Sequence, residues 1–257
     1  MSLDHCAELL AKGDPERFRT VLAAPLPARV VLLPLYAVNL ELARAPWTSA
    51  EPMVGAMRLQ WWRERFDALG KGEGAPAGHP VLGPLAAGIG GDEAAAALLD
   101  AMAAARWHDL GAEPFADAAA LMDHLDATAG NLMWLAARSL GAPDTAEAVV
   151  RAFGMGAGLA AWLRAVPELA ARGRRPLPPD TDIAALAHEG LAGIARARAA
   201  RAAVPARARP ALWPGWPAAR LLHLAAREPE RVGQGGLALS DMTLRGGLLW
   251  AVTTGRW

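Results

Sequence analysis

The stretch Arg58-Leu59-Gln60-Trp61-Trp62-Arg63-Glu64-Arg65-Phe66-Asp67-Ala68-Leu69 decides how this chain folds. Leu59, Trp62, Phe66 and Leu69 recur at steps of three and four, the spacing that lines one face of an α-helix. Val54, Met57 and Trp61 broaden that face, so Trp61 and Trp62 are both expected in the core. Upstream, Ser49 is a good N-cap, and Pro52 falls in the first turn, where its missing N–H costs nothing. A helix is therefore expected from Met53 to Leu69. The glycine-rich stretch Gly70 to Gly78 follows it as a flexible loop.

The same periodicity extends outward in both directions, while strand signals are almost absent. Upstream, short helices are expected near Leu3 to Ala11 and after Asp14-Pro15. A very apolar helix is expected from about Pro27 to Ala45, kinked or split at Pro34. Downstream, His79-Pro80 opens a helix, and Asp92-Glu93 caps the next, which ends near Gly111. Phe115 to Leu140 reads as one long amphipathic helix closed by Gly141 at its C′ position. Pro143-Asp144 starts another long helix to about Ala171, and Arg172 to Pro179 is a basic, proline-rich loop. Helices follow over Asp182 to Ala203 and Ala218 to Ala226, with a weaker last one within Leu237 to Trp257. The loops are short and no repeat is visible. Residues 1–257 are thus expected to form one all-α domain, with 27–203 as its best-supported core.

Composition narrows the function. Lys+Arg and Asp+Glu balance at 26 each, without the basic excess of a nucleic-acid protein, so no nucleic-acid partner is expected. Arg196, Arg198, Arg201, Arg207 and Arg209 form a run without an acid, read either as a solvated face or as a contact for anionic headgroups or an acidic partner. Trp213, Trp216, Trp250 and Trp257 in the C-terminal part have two readings as well, an interfacial membrane contact or a cover for the bundle. Cys6 is the only cysteine, so no intrachain disulfide is possible, and it is expected to be inert. Asp4, Glu8, Asp14 and Glu16 interrupt any signal-peptide core. The apolar run Ala152 to Leu163 falls well short of the ~20 residues a span needs. A cytoplasmic protein is expected, with peripheral contact to the inner face of the cell membrane as its extension.

Familiar catalytic patterns are missing. The six histidines are scattered without zinc-ligand spacing. Gly154, Gly156 and Gly158 do not follow a strand, so they are no dinucleotide fingerprint; they mark close helix packing or a cavity wall. Asp109, Glu113 and Asp117 are spaced by four, but Gly111 and Pro114 break the helix that would align them. Asp123 and Asp126 are expected to be exposed or capping.

Four segments together carry a resemblance. They are Leu35-Tyr36-Ala37-Val38-Asn39-Leu40-Glu41-Leu42-Ala43; Arg58-Leu59-Gln60-Trp61-Trp62-Arg63-Glu64 before His79-Pro80; His124-Leu125-Asp126-Ala127-Thr128-Ala129-Gly130-Asn131-Leu132; and Gly156 to Arg164 followed by Arg172-Gly173-Arg174. In order and separation they resemble the squalene/phytoene synthase family. The resemblance implies the helical trans-prenyltransferase fold. It also implies an ancestral chemistry in which two aspartate-rich motifs hold Mg²⁺ against a diphosphate leaving group. The positions matching the first motif are Ala43, Arg44 and Trp47, and those matching the second are Ala165 and Leu169. None is a carboxylate. Glu168 survives alone beside Pro167, and Glu41 lies off the expected face.

That pattern is closer to a non-catalytic branch of the family, the respiratory complex I assembly factors. The resemblance implies a factor that helps to assemble NADH:quinone oxidoreductase, with complex I subunits or assembly intermediates as protein partners and no cofactor. Tyr36, Asn39, Glu41, Arg58, Gln60, Trp61, Arg164, Arg172 and Arg174 are the candidate ligand- or partner-binding residues. Two other readings stay open: a prenyl diphosphate transferase with atypical Mg²⁺ ligands, in which Arg58, Arg164, Arg172 and Arg174 grip the diphosphate, and a lipid or prenyl-chain binder without turnover.

Overall fold

A computed structural model describes residues 3–49, 51–76 and 78–257 and, among them, contains helices and no strand. The order begins with α1 (Asp4–Gly13), α2 (Pro15–Ala23), α3 (Leu26–Arg44), α4 (Pro52–Gly70), α5 (Leu82–Ile89) and α6 (Glu93–Ala105). It continues with α7 (Ala118–Leu125), α8 (Asn131–Ser139), α9 (Glu147–Ala171), α10 (Ile183–Ala199), α11 (Ala218–Arg227), α12 (Glu230–Gly233) and α13 (Asp241–Thr254).

Local chemistry sets many of the boundaries. The side chains of Asp14, Asp92, Asp117, Asp182 and Ser240 each accept a backbone N–H in the first turn of the helix that follows. Gly141 takes the left-handed backbone (φ 87°) just past α8, as its position predicts. Pro34 and Pro167 both lie inside helices that continue through them, so Pro34 does not split α3. Ser49 is not the cap of α4. Glu51 holds that position, and the Ser49 hydroxyl accepts the Glu51 N–H at 3.1 Å. The helix expected at His79-Pro80 begins at Leu82 instead, and His79 Nδ1 accepts the Val81 and Leu82 N–H groups from outside it.

The core centres on α9. Its buried residues include Val150, Phe153, Gly154, Gly156, Gly158, Leu159, Ala160, Leu163 and Val166, spread around the helix, as befits an element enclosed by neighbours. It packs on α8, α10, α11 and the turn between α7 and α8. The spans Leu26–Trp47 and Asp144–Ala171 are long and apolar enough to cross a membrane, yet half of each is buried against the rest of the bundle. That is also how core helices read.

Two expectations need correction. Trp62 is buried with Leu59, Phe66 and Leu69, but Trp61 is 36% exposed, and Met57 and Val54 are exposed with it. Consecutive helical residues point ~100° apart, so once Trp62 enters the core Trp61 turns toward its rim. The helix expected from Phe115 to Leu140 starts only at Ala118 and runs to Ser139, as α7, a π-helical turn over Asp126–Gly130, and α8 joined without leaving helical backbone. Phe115 lies before α7 and stacks on His108 with ring centroids 3.8 Å apart.

Candidate functional site

A cavity of about 320 Å³ opens between α3, the π turn and α9. α3 contributes Tyr36, Asn39 and Ala43, with Trp47 just beyond its end; α9 contributes Gly154, Ala157, Gly158, Ala161, Trp162, Ala165 and Leu169. Ala43 and Trp47 thus share one cavity with Ala165 and Leu169, at four of the five positions where the family resemblance calls for aspartate. Arg44, the fifth, is exposed and lies against Gly13 of α1.

The electrostatics of the cavity are closed within the protein. Among the described residues Asp109 is the only carboxylate in its wall, and it is bound by Arg106 at 3.1 Å. Arg17 reaches the wall as well, but its Nε donates to Asp14 at 2.9 Å and its guanidinium sits 4.9 Å from the Tyr36 ring centroid. Burial pushes the Tyr36 hydroxyl up to about 12, so it stays a neutral donor; it points to the Ala211 carbonyl at 3.4 Å. A divalent cation needs several hard oxygen ligands. Among the described residues no group of three acidic or metal-binding side chains converges, so this cavity does not fit Mg²⁺.

Trp47, in the cavity wall, carries two arginines on its ring. The guanidiniums of Arg172 and Arg174 each lie 4.8 Å from the Trp47 ring centroid. Arg172 also pairs with Glu168 at 2.5 Å, and Arg174 donates to the Asp109 carbonyl. Arg164 makes a two-pronged pair with Glu16, both contacts at 2.9 Å. Arg58 pairs with Glu41 at 2.7 Å, and neither lines the cavity. Gln60 lies on the exposed side of α4, bonded to Glu64. Trp61 stacks on His79 with centroids 5.4 Å apart. Of the nine candidate binding residues the structure therefore gathers Tyr36 and Asn39 in the cavity wall; Arg172 and Arg174 stack on Trp47, which lines the cavity, but do not line it themselves. The structure disperses Glu41, Arg58, Gln60, Trp61 and Arg164.

Sequence reading misses part of the wall. His124 is buried among Phe115, Trp162 and His108, and burial pushes its imidazole down to about 4. His124, Leu125, Thr128, Ala129 and Leu132 all line the cavity, and their spacing was the available signal. Asp126 is not simply exposed or capping: it bonds Arg151 at 2.6 Å, and Arg151 in turn reaches Asn131 at 2.7 Å. Gly154 and Gly158 serve both readings offered for them, since they line the cavity and also let α9 approach Ala129.

Comparison with known proteins agrees with this geometry. The chain is 28% identical over 177 residues to the Bos taurus protein named NADH dehydrogenase (ubiquinone) complex I, assembly factor 6, covering 68% of this chain and 53% of that one. The Homo sapiens protein of the same name is 27% identical over 179 residues, covering 69% and 53%. The chain thus spans about half the length of these relatives. A dehydrosqualene synthase crystal structure with a bound ligand superposes with a TM-score of 0.80, covering 98% of this chain and 95% of that one at 13% identity, a likeness of fold. The squalene/phytoene synthase model matches residues 10–229, and this match, on an all-helical architecture, establishes that the chain belongs to the squalene/phytoene synthase family.

Proposed function

We propose that this protein is a non-catalytic squalene/phytoene synthase-like factor that assists the assembly of respiratory complex I, NADH:quinone oxidoreductase, by binding its subunits or assembly intermediates. One observation carries the non-catalytic part. Ala43, Trp47, Ala165 and Leu169 face a single cavity in which the lone carboxylate among the described residues, Asp109, is already neutralised by Arg106. Ionisation of a prenyl diphosphate places large negative charge on its leaving group, and positively charged metal must gather there to stabilise it. Without carboxylates to hold the metal, the walls offer that step no purchase. The similarity to the two mammalian assembly factors supports the partner. In a bacterium, such a factor would act on the cytoplasmic face of the membrane, where it would meet the enzyme.

Deleting the gene and resolving membrane complexes on native gels tests this. Loss of NADH:quinone oxidoreductase activity, with accumulation of subassemblies, is expected. Normal assembly and activity in the deletion strain would overturn the proposal.

The cavity itself favours a second reading, a lipid or prenyl tail held without turnover. Its volume of about 320 Å³ falls at the lower end of the roughly 300–1,000 Å³ typical of ligand sites. Much of its lining is aliphatic, aromatic or glycine. Native mass spectrometry of the purified protein should then show a bound lipid mass, and its absence counts against this reading.

A further inference from the structure

The C-terminal part of the molecule carries a surface that the cavity does not explain. An open groove runs between α13 and the corner where α10 gives way to α11. Arg198, Arg201, Arg220 and Arg256 line it, and among the described residues no acidic side chain does; Arg198 Nε donates to the Trp257 O at 2.8 Å. Asp241, at the start of α13, is held by Arg245 at 2.7 Å and lies 3.7 Å from Arg19.

Apolar residues lie on the outer face of the same helix. Met242, Leu249 and Trp250 are 85%, 65% and 51% exposed. With Gly246 they fall at i, i+4, i+7 and i+8, so they form one stripe. The opposite side of α13 is the one that meets the bundle. Ala251 is buried, and Gly247 lies so close to the Trp216 ring that no other residue fits without displacing it. Leu248 and Val252 also pack, partly buried, against the core, while Met242, Leu249 and Trp250 turn outward, so the helix leaves a stripe of large apolar side chains in solvent.

We propose that this face, the outer stripe of α13 with the arginine-lined groove beside it, docks the protein onto a bilayer containing anionic phospholipid. Guanidiniums match phosphate oxygens with paired donors. Tryptophan and long apolar side chains insert at the level of the headgroups. The two features reinforce each other on lipid, because the bilayer offers negative charge and an apolar layer side by side. Arg256 lies over the Trp250 ring at 5.8 Å and Arg220 over Trp216 at 5.9 Å, which places cation and aromatic ring at one depth. An acidic protein partner would match the arginines but leave the stripe to find its own apolar cover.

The proposal is independent of the assembly reading, because it is tested with pure protein and lipid. The full chain is sedimented with vesicles of phosphatidylcholine alone, or with about one-third phosphatidylglycerol, at low and physiological salt. Binding to the anionic vesicles is expected, weakened by salt and by omission of phosphatidylglycerol. Arg201→Glu/Arg220→Glu/Arg256→Glu should lower the partition by roughly tenfold or more, since each basic residue at an anionic surface contributes roughly fivefold. Leu249→Ala/Trp250→Ala should also release the protein, while circular dichroism confirms that it stays helical. Arg175→Glu, a reversal outside the groove, should leave binding unchanged. The proposal is overturned if the parent protein ignores anionic vesicles, if the triple reversal binds as well as the parent, or if Arg175→Glu weakens binding as much as the triple reversal does.

Discussion

Gly158 sits where α9 meets the π turn, and a Cβ added there would lie 2.5 Å from the Ala129 Cβ. Neither atom belongs to a flexible side chain, so Gly158→Ala can be accommodated only by moving backbone. Overpacking of this kind costs about 1–3 kcal/mol, more than the roughly 1 kcal/mol of helix propensity that alanine gains over glycine. Urea unfolding should therefore show Gly158→Ala less stable than the parent. Gly246, which has nothing near its missing Cβ, should become more stable as alanine in the same assay. His124 supports a prediction about pH. Burial lowers its folded-state value to about 4 from the usual 6.5, with Asp109 opposing the shift and Arg106 and His108 adding to it. The unfolded chain therefore takes up a proton that the folded chain refuses. Its contribution to stability is complete above pH ~6.5 and is lost as the pH falls toward 4, amounting to about 3 kcal/mol in all. His124→Gln, which cannot titrate, should flatten the decline between pH 7 and 4.5 in urea midpoints. An equally steep decline in the variant would assign the acid sensitivity elsewhere.

Between elements, Trp47 joins two segments that sequence reading treats separately: the end of α3 and the basic loop after α9. Two guanidiniums on one ring contribute about 0.5–1 kcal/mol each at exposed sites, too little to decide folding but enough to hold a loop. Trp47→Ala should leave the unfolding midpoint almost unchanged. It should raise amide exchange through residues 172–175 and speed tryptic cleavage at Arg172 and Arg174. Unaltered exchange there would mean that the Arg172 to Glu168 pair and the Arg174 bond to the Asp109 carbonyl hold the loop without the ring. Helices themselves were legible wherever chemistry punctuates them. Asp92, Pro143 and Gly141 announce ends that the structure places within a few residues. The π turn at Asp126–Gly130 was not legible, because it inserts one residue into a helix whose apolar pattern continues on both sides. The cavity wall was half legible. Tyr36 and Asn39 lie in a recognisable segment, whereas Arg17 and Arg106 come from helices whose approach depends on tertiary packing.

At the scale of the whole molecule, the question is whether a prenyltransferase fold still recognises diphosphate once its carboxylates are gone. Each charge along the cavity has an internal partner: Arg17 has Asp14, and Arg106 has Asp109. Of the arginines outside the wall, Arg58 and Arg164 are committed to Glu41 and Glu16. A diphosphate would have to break pairs rather than meet waiting cations, and breaking a partly buried pair by removing one partner leaves an uncompensated charge. Magnesium offers little help, because it brings its charge to a site only where oxygen ligands hold it. Calorimetric titration of the full chain with a prenyl diphosphate should therefore give the same weak or absent binding with and without Mg²⁺. An active synthase would bind more tightly in the metal's presence. Restoring single carboxylates, as in Ala43→Asp or Ala165→Asp, should not reverse this. Trp47 and Leu169 still occupy the remaining motif positions, and Arg172 and Arg174 remain stacked on Trp47. A tenfold gain in affinity on adding Mg²⁺ to the parent protein would show that ligands from elsewhere converge in the cavity, and the non-catalytic reading would fall with it.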